Sequence, residues 1–293
     1  MYDRRVTAAR PDLAAAHLKG VIEAERYREG RIKCVTHAAV GLRAAPSADA
    51  TLETELLFGE IFTVYELKNG WVWGQAALDS HVGYAPADAF GEVAAPPTHR
   101  VTARATPLLA APDVKQPSRM ILPMNAKLHV AEPGERFTML ADGGYVFSAH
   151  IAPLETHAPD WLAVAENFLG VPYLWGGKTF AGIDCSGLIQ TALEAAGILA
   201  PRDTDLMESA LGQSIALDAA LQRGDLIFWK GHMGALLDDE RLIHASGYHM
   251  QVAIEDFATA RKRIFADGLP VRTIKRLAAN RNPPPLGGEV EAP

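Results

Sequence analysis

The chain has 293 residues, 48% of them hydrophobic and 22% charged, which is enough to bury the cores of two or three domains. Its formal charge of -7, with no basic run, excludes a nucleic-acid partner and docking on an anionic membrane surface. The first thirty residues are charged throughout without an apolar export segment, and no run of about 18 apolar residues occurs anywhere. Two isolated cysteines, Cys34 and Cys185, cannot build a disulfide framework, and no four-ligand zinc spacing exists. A cytoplasmic protein is therefore expected.

Residues 1–32 read as an N-terminal arm with a helix over 12–27, where Leu13, Ala16, Leu18, Val21, Ile22 and Ala24 recur among charges. From 33 to 95 the pattern changes to short β-rich runs, CVTHAAV, EIFTVYEL, GWVWGQAAL and HVGYAP, divided by turn residues. This predicts a small β-barrel. After Pro96–Pro97 the pattern returns over 98–155. HRVTARATPLLAAP echoes HAAVGLRAAP, and GERFTMLADGGYVFSAHIAPL echoes NGWVWGQAALDSHVGYAPADAF, with Tyr145 in the place of Tyr84. Two degenerate copies of one barrel are expected. Residues 159–277 are mixed α+β: an amphipathic helix in DWLAVAENFLG, a second helix after Cys185, then GDLIFW, MGALLDD, RLIHASG and MQVAI as strands. Helices followed by a run of strands predict an antiparallel sheet with helices on one side. The Pro/Gly-rich, acidic tail over 278–293 is expected to be disordered.

Cys185 lies where a glycine-rich loop gives way to an apolar helix, in GIDCSGLIQTALEAAG. The first turn of a helix favours a thiolate, and a thiolate is a nucleophile. A small residue filling a gap between helix and sheet is the alternative. A cysteine nucleophile needs a base, and the base a third group to hold its ring. His232 opens the strand HMGALLDD and His244 closes RLIHAS. In a hairpin turning near residue 238 the two come nearly opposite on one face. Asp225, before the strand LIFW, reads as a structural turn cap.

The ordered motifs FLGVPYLWGGKTFAGIDCSGLIQTALEAAG, RGDLIFW, GHMGALL and LIHAS resemble those of the NlpC-type papain-like cysteine peptidases of bacterial cell-wall metabolism. The Gly-Trp and final Gly-Tyr strands of the first barrel resemble a bacterial SH3-like domain. The resemblance implies Cys185 as nucleophile, His232 as general base and then acid, and His244 as the orienting third member. It implies Tyr173 and the Cys185 N–H as oxyanion donors, and Asp184, Ser186, Arg202, Asp203 and Thr204 along the pocket for a D-glutamyl group. Met207 stands where the family has a glutamine, so that glutamine's contact is in doubt.

Two SH3-like domains ahead of such a peptidase resemble the cytoplasmic γ-D-glutamyl-L-diamino acid endopeptidases that recycle murein peptides. That implies a murein-peptide substrate with a free N-terminal L-alanine, no cofactor and no metal. It also implies an acidic partner for the substrate ammonium, for which Glu60 in LLFGEIF matches, with Tyr84 and Trp73 as further contacts. A general hydrolase of intact wall and a non-catalytic wall-peptide binder are the alternatives.

Overall fold

The computed structural model describes residues 2–278. Beyond Ala278, the expected disordered tail lies outside the described residues. Among these no helix is long and apolar enough to cross a membrane. The chain divides into two compact units, Met1–Thr156 with Trp175–Phe180, and His157–Leu174 with Ala181–Pro293.

The first unit is β-rich. Seven strands form one sheet in the order Phe90–Gly91, Arg31–Val35, Ile61–Lys68, Trp71–Ala76, Val82–Pro86, Ala39–Arg43, Leu52–Leu57. Alternation turns Val40, Leu42, Phe62, Val64 and Val72 into a common core. A five-stranded and a three-stranded sheet over residues 99–153 bury Val101, Leu108, Leu122, Leu128, Leu140 and Val146. The two halves correspond in detail. Ala39–Arg43 pairs with Leu52–Leu57 and Ala105–Leu109 with Ser118–Pro123, each across a register shift. Tyr84 then pairs with Arg43 as Tyr145 does with Leu109. Among the described residues the outermost strands of the seven-stranded sheet are not paired with each other, so it is not a closed barrel.

The helix expected over 12–27 is absent. Leu13–Ala15 is a strand between Ala9–Arg10 and Tyr27–Arg28, followed by a single 3₁₀ turn at Ala16–Leu18. Leu13, Ala14 and Ala15 are all wholly buried, and Leu13 and Ala15 pack with Tyr65 and Trp73. Burial of three consecutive residues suits a strand covered on both faces, whereas a surface helix hides only one stripe.

In the second unit we label the helices α1 (Trp161–Glu166), α2 (Cys185–Ala195), α3 (Thr204–Ala210) and α4 (Phe257–Ala266). The strands are β1 (Gln213–Ile215), β2 (Asp225–Trp229), β3 (His232–Leu236), β4 (Arg241–Ser246), β5 (Gln251–Asp256) and β6 (Thr273–Arg276). They form an antiparallel sheet in the order β1-β6-β2-β3-β4-β5. Ile227, Trp229, Leu236 and Leu242 pack with Phe257 and Ala260 of α4. Leu226, Phe228, Met233 and Ala235 alternate onto the other face and are equally buried. Cover is therefore needed on both faces, not on the one side expected. α2, buried at every position, packs along β3 and β4. Asp225 is structural: fully buried, it takes two 2.7 Å bonds from Arg276 and one from the Gln222 N–H.

Candidate active site

The head of α2 is fixed by a knot of buried polar groups. The Asp184 carboxylate caps the helix by accepting the Gly187 N–H at 2.7 Å, leaving Cys185 as the first helical residue. Arg202 is almost wholly buried, and bonds both oxygens of Asp184, at 3.0 and 2.7 Å, and Ser186 Oγ at 2.8 Å. Asp184, Ser186 and Arg202, expected along a substrate pocket, are thus bound first to one another. Asp203 is the N-cap of α3, and Thr204 brings Oγ1 to 3.8 Å from Cys185 Sγ. Met207 is completely buried, an apolar anchor for α3 where the family has a polar side chain.

Cys185 is not the ready thiolate that a helix N-terminus predicts. Burial, and then the Asp184 charge, push its thiol up to about 11, against the Met233 N–H, the Thr204 hydroxyl and Arg202. The helix end loses because the residue capping it is itself an anion and the whole helix is out of water. Tyr173 is pushed above the ordinary phenol range, first by burial and then by the charges of Cys185 and Asp184. Its hydroxyl therefore remains a donor. The Tyr173 N–H donates to the Met250 carbonyl at 2.9 Å, and the residue bridges Ile183, two positions before Cys185.

The Met233 N–H that meets the thiol belongs to the residue after His232. A two-residue turn, with Gly231 at φ 74°, pairs His232 with Trp229. The two rings stack at 5.5 Å and 29°. Burial foremost, then the charges of His244 and Arg263, depress His232 to about 3. Burial thus works against charge on the thiol and on the imidazole alike. His232 Nε2 lies 2.9 Å from Nδ1 of His244, which is wholly buried.

These two histidines are diagonal neighbours. The β3–β4 register pairs Ala235 with Ile243 and Leu236 with Leu242, so its continuation puts Gly234, not His232, opposite His244. Both rings still share a face, and a diagonal pair is within reach of long side chains. A Cβ on Gly234 would lie 2.9 Å from Leu242 Cδ1, which can turn away, and 3.0 Å from both His244 Cβ and the Ile243 carbonyl oxygen. Gly234→Ala should accordingly displace His244 by a few tenths of an ångström. The expected result is a loss of about tenfold in kcat/KM, with overpacking costing about 1–3 kcal/mol. Parallel kinetics and thermal unfolding check it, and unchanged kinetics would disprove the crowding.

Past His244 stand residues that the sequence did not single out. Glu255 Oε1 is 2.8 Å from His244 Nε2, approached obliquely to the ring N–H, and 3.3 Å from His249 Nε2. Arg263 grips both Glu255 oxygens at 2.6 Å. Donor atoms of His244, His249 and Glu255 lie within 4.8 Å of one another, but the guanidinium already neutralises the carboxylate and opposes a cation there. The pairing of RLIHAS with MQVAIED, carried one strand further, is the signal that would have found Glu255.

In the first unit, Glu60 is buried and faces Lys178 Nζ at 3.4 Å, both almost out of water. It is not the open carboxylate that was expected to await an ammonium. The partner lies 118 positions along the chain, invisible to a local motif. Trp73 and Tyr84 border a cleft with Asp12, Glu66 and Trp71. Arg10 occupies it, lying 4.4 Å over the Trp73 ring and donating to Tyr84 Oη at 2.8 Å.

Comparison with known proteins agrees with this layout. The NlpC/P60 family model matches residues 170–265, and that of the bacterial dipeptidyl-peptidase SH3 domain matches 42–90. Dipeptidyl-peptidase 6 of Lysinibacillus sphaericus is 29% identical over 229 residues, covering 70% of this chain and 84% of its own. The γ-D-glutamyl-L-lysine dipeptidyl-peptidase of Bacillus cereus is 29% identical over 254 residues, covering 72% and 75%. An NlpC/P60 family crystal structure from Bacillus cereus superposes with a TM-score of 0.72 at 22% identity, over 84% of this chain and 99% of that one. At that identity the likeness shows the fold. Residues 170–265 are thus an NlpC/P60 family match, preceded at 42–90 by a match to the bacterial dipeptidyl-peptidase SH3 domain.

Proposed function

We propose that this protein is a cysteine peptidase cleaving the bond between γ-D-glutamate and the following diamino acid in cell-wall peptides with a free N-terminal L-alanine. The observation that carries the reading is Cys185 at the head of α2 with its thiol against the N–H of Met233, the residue after His232, and the His232 and His244 rings in contact at 2.9 Å. In the proposed reaction His232 takes the thiol proton as Sγ attacks the γ-carbonyl carbon. The oxyanion is met by the Cys185 N–H and the Tyr173 hydroxyl. The imidazolium gives its proton to the leaving amine as the C–N bond breaks, and water then hydrolyses the thioester with His232 again as base. Asp184, Ser186, Arg202, Asp203 and Thr204 would shape the D-glutamyl side of the site.

The names of the relatives support the choice of bond. The free-amine preference is a separate part of the proposal, and it no longer depends on an open Glu60. Mass spectrometry after incubation with L-Ala-γ-D-Glu-meso-diaminopimelate, its L-lysine counterpart, their N-acetylated forms and intact peptidoglycan tests both parts. Cleavage of the free-amine peptides at the γ-glutamyl bond, with the acetylated forms and intact wall spared, is expected. Equal cleavage of free and acetylated peptides would remove the amine preference, and digestion of intact wall would favour a general wall hydrolase. No cleavage of any would leave a peptide binder.

A further inference from the structure

The line of contacts that begins at His232 continues through His244 to a charged pair. His244 pairs with Ala253 across β4 and β5, so Glu255 is its diagonal neighbour on the same face. His232, His244 and Glu255 therefore step diagonally across three adjacent strands. Burial alone would raise the Glu255 carboxyl. The Arg263 bonds and the charges around it outweigh burial and hold the group at about 2. An ionised carboxylate can only accept. His244 Nε2 faces it at 2.8 Å, off the line of a ring N–H, and of the two neutral tautomers only the one protonated on Nε2 turns a proton rather than a lone pair toward the carboxylate, which leaves Nδ1 an acceptor. Across the 2.9 Å contact, His232 must donate from Nε2. Its remaining lone pair is on Nδ1.

We propose that Glu255, clamped by Arg263, is a positioning residue that sets this proton order and so determines which nitrogen of His232 is the base. The inference rests on the reading of Cys185, His232 and His244 as one catalytic unit. In the proposed step the thiol proton moves to His232 Nδ1, and the imidazolium donates from Nε2 to His244, which donates in turn to Glu255. Glu255 stays unprotonated, and the transferred proton leaves with the product amine. Deletion of a carboxylate that orients a catalytic histidine acts through the wrong tautomer as well as lost charge.

The test uses opposite ends of one ion pair. Glu255→Gln and Arg263→Gln both break it, so as loss of mechanical support they would act alike. As changes of charge they act oppositely. The groups facing the pair are His232 and His244 from β3 and β4, His249, Tyr248, whose ring lies 4.1 Å under Arg263, Asp256 beside Glu255 and Asp267 at the end of α4. Glu255 raises and Arg263 lowers the pKa of both catalytic histidines. Glu255→Gln should thus move the acid limb of kcat/KM to lower pH and Arg263→Gln to higher pH, each by about half to one unit. The Glu255→Gln plateau should also fall about 10- to 100-fold, less than or equal to the share of a general base, and Glu255→Asp should recover part of it.

A readout independent of turnover is the tautomer itself, from ¹⁵N–¹H correlation spectra of the imidazoles at neutral pH. Wild type should show both His232 and His244 protonated at Nε2, and Glu255→Gln should mix the forms of His244. Shifts in the same direction for the two variants, or an Nδ1-protonated His244 in wild type, would overturn the proposal. If Cys185→Ala kept full turnover the underlying reading would fail instead, while the tautomer result would stand by itself.

Discussion

Cys185→Ala should remove turnover of L-Ala-γ-D-Glu-diaminopimelate, a loss on the order of 10⁶-fold, the scale for deleting a nucleophile from a unit of cooperating groups. Cys34→Ala should leave kcat/KM within about twofold. The difference lies in what surrounds each thiol. Cys34 is half-buried on a strand of the β-rich unit, its Sγ 3.7 Å from the Val35 carbonyl, and burial raises its pKa. Cys185 begins a helix and receives the Met233 N–H and the Thr204 hydroxyl. Since its thiol is nevertheless pushed up to about 11, its reactivity must come from proton transfer to His232, not from a standing thiolate. Iodoacetamide at neutral pH should therefore label Cys185 in wild type and much more slowly in His232→Ala, as followed by peptide mass spectrometry. Equal kinetic losses from Cys185→Ala and Cys34→Ala would remove Cys185 from the centre.

The sequence carried the site where its chemistry depends on local order. Asp184, Cys185 and the apolar repeat of α2 lie within one turn and one helix, so capping and burial could be read together. The two histidines were legible as a hairpin because each ends a run of alternating residues, although their diagonal offset needed the observed register. Three things depended on the third dimension. Glu255 matters only through the strand next to His244 and through Arg263 on α4. Glu60 looked available because its partner Lys178 is remote in sequence. The thiol pKa was misjudged because a helix end favours an anion only until burial and a neighbouring carboxylate outweigh it. The arm over 12–27 shows the same limit: helical spacing was present, but burial of Leu13, Ala14 and Ala15 beside Tyr65 and Trp73 decided for a strand.

Within the proposed triad, His232→Ala should be at least as damaging as His244→Ala, because one change deletes the base and the other only its support. A general base contributes about 10²–10⁴-fold, so His232→Ala should lie near the upper end and His244→Ala at or below it. His244 is wholly buried, so its truncation also leaves a cavity, and His244→Asn separates packing from orientation. An asparagine oxygen can still accept from His232 Nε2, and this variant should regain part of the activity lost in His244→Ala while differing little from it in unfolding temperature. The wild-type acid limb should lie below the ordinary histidine value of about 6.5. The sign follows from burial and the charges of His244 and Arg263, which depress His232: protonation disables the base, and a depressed pKa postpones protonation to lower pH. The double change His232→Ala with His244→Ala should be no worse than about threefold below His232→Ala alone, because His244 has no base left to orient. Kinetics of the four proteins on one peptide decide the matter. If the two losses multiply, the histidines act separately and the 2.9 Å contact between them is not a catalytic one.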